Sequence, residues 1–247
     1  MKSLYNKHFN KMAFVIGAGP SLRFINNDDI KDYVTITVNS GILKLPECDY
    51  FLSDDIGAHW WNYWHDTAPK SNCIKLLYED KLKKFADHFD SKQVIYFKHK
   101  EWFTPPNKFY LPEGLTMTKD PALPIIGART SVASAIHIAY IMGCNPIVLL
   151  GCDCCYGPEN CRYFWQYPGF KKAYRINNEP VFCETNGMKI SSKMVDYHCV
   201  EFIHYWNKFA KINKGKCNII SASDGLLKCF PKMEIKDILK EYGKNKK

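Results

Sequence analysis

The stretch Phe14-Val15-Ile16-Gly17-Ala18-Gly19-Pro20-Ser21-Leu22 joins an apolar run of strand length to two glycines, a proline and a serine. Branched Val15 and Ile16 favour extended backbone. Gly17 and Gly19 let the chain turn tightly and bring N–H groups close to a ligand, and Pro20 and Ser21 suit the first turn of a helix. Strand, turn and helix start follow, with a helix N-terminus that prefers an anion. Gly17, Ala18, Gly19, Pro20 and Ser21 are therefore candidate contacts for a nucleotide phosphate. A tight β-α turn without a ligand reads the same way. Leu22 stands where a GxGxxG fingerprint has its third glycine, and no Gly-Lys-Ser/Thr follows to make a Walker loop.

Outward from this unit, strand-length apolar runs alternate with helical patterns. Strands are expected over residues 12–17, 34–38, 50–53, 73–78, 94–97, 146–151 and 217–221. Helices are expected over 130–142, about 192–213 and 234–241, the second with Val195, Cys199, Phe202, Trp206 and Phe209 on one stripe. Such alternation predicts an α/β fold: a single Rossmann-like, doubly wound, mostly parallel sheet with helices on both faces, one domain over 1–247. Residues from about 156 to 190, rich in Gly, Pro, Asn and aromatics, are too long for an ordinary connection and read as a lid over a site.

Hydrophobic residues make up 46% of the 247-residue chain, enough to fill a core. No apolar run reaches the roughly 18 residues that span a bilayer, so a cytoplasmic protein, at most peripheral at a membrane, is expected. Eleven cysteines, an odd number spread through apolar segments, read as reduced core residues. Cys152, Cys154, Cys155 and Cys161 lack the second spaced pair of a structural zinc site. The net charge of +9 rests on thirty lysines against four arginines. Without a basic cluster interleaved with aromatics it speaks against a nucleic-acid partner and fits anionic substrates. Arg23, Arg129, Arg162 and Arg175 matter more, because a planar fork grips phosphate or carboxylate. The sequence leaves self-association into a homo-oligomer open.

Consecutive strand ends carry Asn39 and Ser40, then Ser53, Asp54 and Asp55, around the crevice where open α/β sheets bind ligands. Asn39 can read a ribose or base by donating and accepting at once. Asp54 and Asp55 are hard oxygen ligands suited to Mg²⁺ on a diphosphate, or simply cap the next helix. Arg129, Thr130 and Ser131 open the longest apolar helix, and a cation there is misplaced unless an anion satisfies both. Asp153 and Tyr156 follow the strand at 146–151 and belong to the same sheet edge.

"GAGPSL" at 17–22, "TVNSGI" at 37–42, "ARTSVASAIHIAYIMGCNPIVLLGCDCCY" at 128–156 and "ISASDGLLKCFP" at 220–231 resemble one superfamily. It joins bacterial lipooligosaccharide sialyltransferases to motility-associated-factor glycosyltransferase and 6-hydroxymethylpterin diphosphokinase-like domains. The resemblance implies a nucleotide-binding transferase fold. It implies that Gly17 to Ser21 hold the nucleotide phosphate, that Asn39 contacts the nucleotide, and that Arg129 is an active-site arginine. Tyr156 then stabilises the leaving phosphate, with Tyr163 a looser match to its partner. Two departures stand out. The family's histidine base before the long helix is replaced by Ile190-Ser191-Ser192-Lys193, leaving His198 as a substitute, and an asparagine at the third strand's end is replaced by Ser53-Asp54-Asp55. The leading expectation is a glycosyltransferase that takes a nucleotide or nucleotide-sugar donor and a glycan or small-molecule acceptor. A sialyltransferase-like mechanism needs no metal or other cofactor. One alternative is a diphosphokinase with Mg²⁺ on Asp54 or Asp55; another is a non-catalytic nucleotide- or glycan-binding protein.

Overall fold

The computed structural model describes residues 1–100, 116–126, 130–177, 188–190, 193–195 and 197–244, with side chains described except within 178–198. Strands β1 (Ala13–Ile16), β2 (Val34–Val38), β3 (Tyr50–Ser53), β4 (Ile74–Tyr78), β5 (Val94–Phe97) and β6 (Ile147–Leu150) precede a hairpin of β7 (Met188–Ile190) and β8 (Lys193–Val195) and a last strand β9 (Ile219–Ser221). Seven of these form one sheet in the order β5-β4-β3-β2-β1-β6-β9, and every neighbouring pair is parallel. β1 and β6 are buried along their whole length, which explains their unbroken apolar sequences: a central parallel strand is covered on both faces.

Two cores follow. On one face Ala13, Val15, Val34, Ile36 and Leu149 pack beneath Ala135, Ile138 and Ala139 of helix α2 (Ser131–Ile141) and Tyr205, Trp206 and Phe209 of α3 (Tyr197–Ile212). α1 (Glu79–Leu82) is a single turn after β4. On the other face Phe14, Ile16, Phe51, Leu77, Val148 and Leu150 meet Leu22, Trp64, Phe164, Trp165 and Ile238 of α4 (Ile235–Tyr242). There the connections after β1, β2 and β3 are short 3-10 and π turns such as Pro20–Phe24, Asn39–Leu43 and Tyr63–Thr67. Local side-chain bonds compete with longer helices in this region: Asn26 accepts the Asp28 N–H at 3.2 Å. Large aromatic side chains fill the space that regular helices would occupy.

The long helix starts at Tyr197, later than the hydrophobic stripe predicts, because Met188–Ile190 pairs antiparallel with Lys193–Val195 and takes Val195 into a strand. From Cys199 on, the stripe lies where expected, with Cys199, Trp206 and Phe209 buried and His204 exposed. The described part of the expected lid, residues 156–177, packs against the ends of β1 and β2. Phe164 N–H donates to the Ala18 carbonyl at 3.1 Å, and Trp165 Nε1 donates to Ser40 Oγ at 3.1 Å. Asn62, itself buried, binds Tyr174 N–H and the Lys172 carbonyl through its amide.

Gly17 and Gly19 serve close packing between the β1 and β6 ends. The Gly19 φ of −65° is open to any residue, and a Cβ on Gly17 would sit 2.5 Å from the Gly151 carbonyl oxygen. Gly17→Ala is expected to lose about 2 kcal/mol of stability. Urea unfolding checks this: the midpoint should fall with an unchanged slope, and an unchanged midpoint would refute the packing account.

Buried His137 ties residues 116–126 to α2. Its Nδ1 accepts the Ile126 N–H at 2.8 Å, and Nε2 lies 2.9 Å from the Thr118 carbonyl. Burial lowers its pKa from the usual 6.5 to about 4, so the ring is neutral in the folded chain. In the unfolded chain it takes up a proton first. The stability it contributes is therefore present at neutral pH and lost as pH falls from about 6.5 towards about 4. Unfolding of wild type and His137→Gln across this range should show the steeper fall in wild type; parallel curves would contradict the assignment.

Candidate functional site

The chain runs outward from β1 to β5 and then crosses to the other side of β1 for β6. Between the diverging connections of β1 and β6, the carboxyl edge of such a sheet opens into a crevice. A cavity of about 610 Å³ lies there, lined by Gly17, Ala18 and Gly19 after β1 and by Gly151, Cys152 and Asp153 after β6. Asn39, Ser40, Asp54, Asp55, Thr130 and Ser131 complete its polar lining. A second hollow of about 750 Å³ lies between Lys7, Cys48 and Cys73, at the amino ends of β3 and β4, away from the switch point.

The floor of the first cavity is one hydrogen-bonded network. Asn39, in the left-handed region at φ 49°, accepts from Ser53 Oγ at 2.8 Å and donates through Nδ2 to Ser131 Oγ at 3.3 Å. Asn is among the residues that tolerate this backbone. Ser131 and Ser134, three residues apart on one face of α2, both donate to the buried Asp54 carboxylate, Ser134 at 2.6 Å. His99 Nε2 is 3.3 Å from Asp54 Oδ2. Burial pushes the Asp54 carboxyl up, but the His99 contact and the two hydroxyls outweigh it and hold the group below its usual 3.8. The positive end of α2 adds to this.

This geometry revises the reading of the glycine turn. Gly17 N–H donates to the Leu150 carbonyl, Gly19 N–H to Gly151 and Leu22 N–H to Gly19. Ser21 N–H donates to Asp153 Oδ2 at 2.9 Å, and Pro20 has no N–H. The Gly17, Gly19, Ser21 and Leu22 amides therefore have protein partners, and these four do not form an open phosphate cradle. Gly17, Ala18 and Gly19 line the cavity, whereas Pro20 and Ser21 support its wall. Asp153 is a strut between the β1 and β6 ends.

Of the remaining expected residues, Tyr163 lines the cavity and stacks on Trp165 at 5.0 Å. Tyr156 is buried in a separate small cluster with Cys155, Cys199 and Leu226. Arg129 lies outside the described residues. His198 falls in the first turn of α3, with its side chain outside those described. Arg23 and Arg175 stack on aromatic rings, Arg23 4.2 Å from the Tyr167 ring centre and Arg175 5.7 Å from that of Trp61. Arg162 does reach the cavity, as does Lys81. Burial raises the Cys152 and Cys154 thiols, so both line the wall protonated.

Asp54 and Asp55 both accept hydrogen bonds from the protein. Both Asp54 oxygens accept serine hydroxyls, and Asp55 Oδ1 caps the Gly57 N–H at 2.9 Å. Among the described residues, no three His, Cys, Asp or Glu side chains converge as a metal cage. The sequence reading missed His99, Lys81, Trp61 and Tyr63, whereas Arg162 is one of the four arginines it singled out and Trp165 lies in the segment it read as a lid. His99 had one signal, its place two residues beyond the carboxyl end of β5.

No family model matches the chain, and no curated protein matches it. The structure of the MAf glycosyltransferase from Magnetospirillum magneticum AMB-1 is similar over 97% of this chain, with a TM-score of 0.55 and 13% identity. This chain spans 37% of that protein's length. Two structures of the sialyltransferase CstII from Campylobacter jejuni, in complex with cytidine-5'-monophosphate and with CMP-3FNeuAc, match at TM-scores of 0.43. They cover 91% and 90% of this chain and 85% of theirs, at 13% and 15% identity. At such identities the likeness is one of fold: the chain shares the α/β fold of the MAf glycosyltransferase. The fold of the motility-associated-factor branch of the sequence resemblance thus reappears in a solved structure, and nothing in these comparisons supports the diphosphokinase branch. No helix among the described residues is long and apolar enough to cross a membrane.

Proposed function

We propose that this protein is a transferase for a nucleotide-activated donor, and specifically a glycosyltransferase acting on a glycan or small-molecule acceptor. The observation that carries the reading is the cavity at the switch point between β1 and β6, the position at which open α/β sheets bind nucleotides. The fold shared with the MAf glycosyltransferase supports it.

The chemistry of the lining divides the cavity. On the floor, Asn39 and Ser131 offer paired donor and acceptor groups to a ribose or base. Trp61, Tyr63, Tyr163 and Trp165 form an aromatic wall, against which a base or a sugar ring packs with little loss of conformational entropy. Phosphate charge is met by Arg162 and Lys81, with the Gly17, Gly19 and Ser21 amides otherwise engaged. Arg129, next in sequence to the cavity residue Thr130, keeps its proposed role as the guanidinium that neutralises the departing phosphate. Such preorganised charge supplies the largest part of many enzymes' rate enhancement. No metal enters this scheme, and the engaged oxygens of Asp54 leave the magnesium alternative without support.

Thermal unfolding in the presence of CMP, UDP, GDP and ATP, each with and without Mg²⁺, tests the reading. A nucleotide at 100 times its Kd adds about 2.7 kcal/mol of apparent stability, so at least one should raise Tm by several degrees, and without Mg²⁺. A flat response to all four would overturn the nucleotide-donor reading.

A further inference from the structure

We infer that His99, held by Asp54, takes the proton from the acceptor hydroxyl during transfer. The inference rests on the cavity being the nucleotide-sugar site. Its ring lines that cavity, with Nε2 3.3 Å from Asp54 Oδ2 and 3.2 Å from Ser134 Oγ. Ser134 spends its hydrogen on Asp54, so Nε2 faces two acceptors and must carry the ring hydrogen. The neutral imidazole then has its lone pair on Nδ1, for which no hydrogen-bond partner occurs among the described residues.

Orientation is fixed from several sides. The ring stacks on Tyr78 at 4.3 Å, and the backbone at 99 bridges to Ile125. A base oriented by a carboxylate through one nitrogen, with the other directed at substrate, is the arrangement that activates a hydroxyl. Burying the Asp54 charge costs desolvation energy that an apolar pair would avoid, and a role at the reacting centre accounts for its retention.

The step balances. The acceptor oxygen bonds to the anomeric carbon while the bond from that carbon to the nucleotide phosphate oxygen breaks. The phosphate departs with the bonding electron pair, and the hydroxyl proton passes to His99 Nδ1. Asp54 remains ionised and stabilises the imidazolium, as a positioning residue.

The test uses His99→Gln, which keeps an N–H for Asp54, and His99→Ala. Nucleotide affinity is measured by calorimetry. Turnover is read as nucleotide release from CMP-, UDP- and GDP-sugars with water as acceptor, and the His99 tautomer by nitrogen-15 NMR. The expected results are near-wild-type affinity in His99→Gln, release slower by about 100-fold or more, partial rescue of His99→Ala by imidazole, and an Nε2–H tautomer in wild type. Wild-type turnover in His99→Gln, equal losses of affinity and turnover, absence of imidazole rescue or an Nδ1–H tautomer would each overturn the inference. Failure of the wild type to bind any nucleotide removes the proposed function and the inference with it. If nucleotide binds but none of the panel is hydrolysed, the tautomer decides: Nε2–H supports the inference and Nδ1–H overturns it.

Discussion

The site depends on one constraint: a carboxylate buried at the first turn of α2. Asp54 follows β3, and Ser131 and Ser134 reach it from one face of the helix. An isolated buried charge would neutralise itself by taking a proton. Two hydroxyls, the helix terminus and His99 provide enough favourable contacts to keep this one ionised. The charge in turn fixes its neighbours. Ser131 is oriented to accept from Asn39, Asn39 to accept from Ser53, and His99 Nε2 is held against the carboxylate. Removing the carboxylate would release the groups of three strand ends and a helix together, because their hydrogen bonds form one network.

The sheet supplies the setting. Reversal of strand order between β1 and β6 opens the crevice, and the small residues after those strands allow their ends to approach within hydrogen-bond distance. Opposite the polar floor, the segment after Tyr156 is pinned by Phe164 and Trp165 and forms the aromatic side of the same cavity.

Much of this was legible in the sequence. Long apolar runs such as Ile147 to Leu150 and the glycine signal after Ile16 specify a parallel sheet with its site at the carboxyl edge. Asn39, Ser53 and Asp54 were found because residues at the ends of strands in such a sheet share one edge, and Ser131 because it opens the longest apolar helix. Four things were not legible. The glycine turn spends its amides on β6 and Asp153, because a close approach of backbones and a nest for an anion have the same glycine signature. Tyr156 and Arg162 differ in burial, which depends on how the chain folds back after Cys155 and has no local pattern. His99 belongs to the site only because β5 runs parallel to β3 across β4, a tertiary fact that no spacing encodes. The aromatic residues of the wall are likewise brought together by the chain's return between residues 60 and 176.

The charge on Asp54 is accessible to direct measurement. Carbon-13 NMR of its side-chain carboxyl during an acid titration, with the signal assigned by Asp54→Asn, reads the protonation state without reference to activity. The account requires the carboxylate to remain ionised below the usual value of 3.8. Protonation at or above that value would mean that burial prevails over its partners, and the network at the floor of the cavity would lose its anchor.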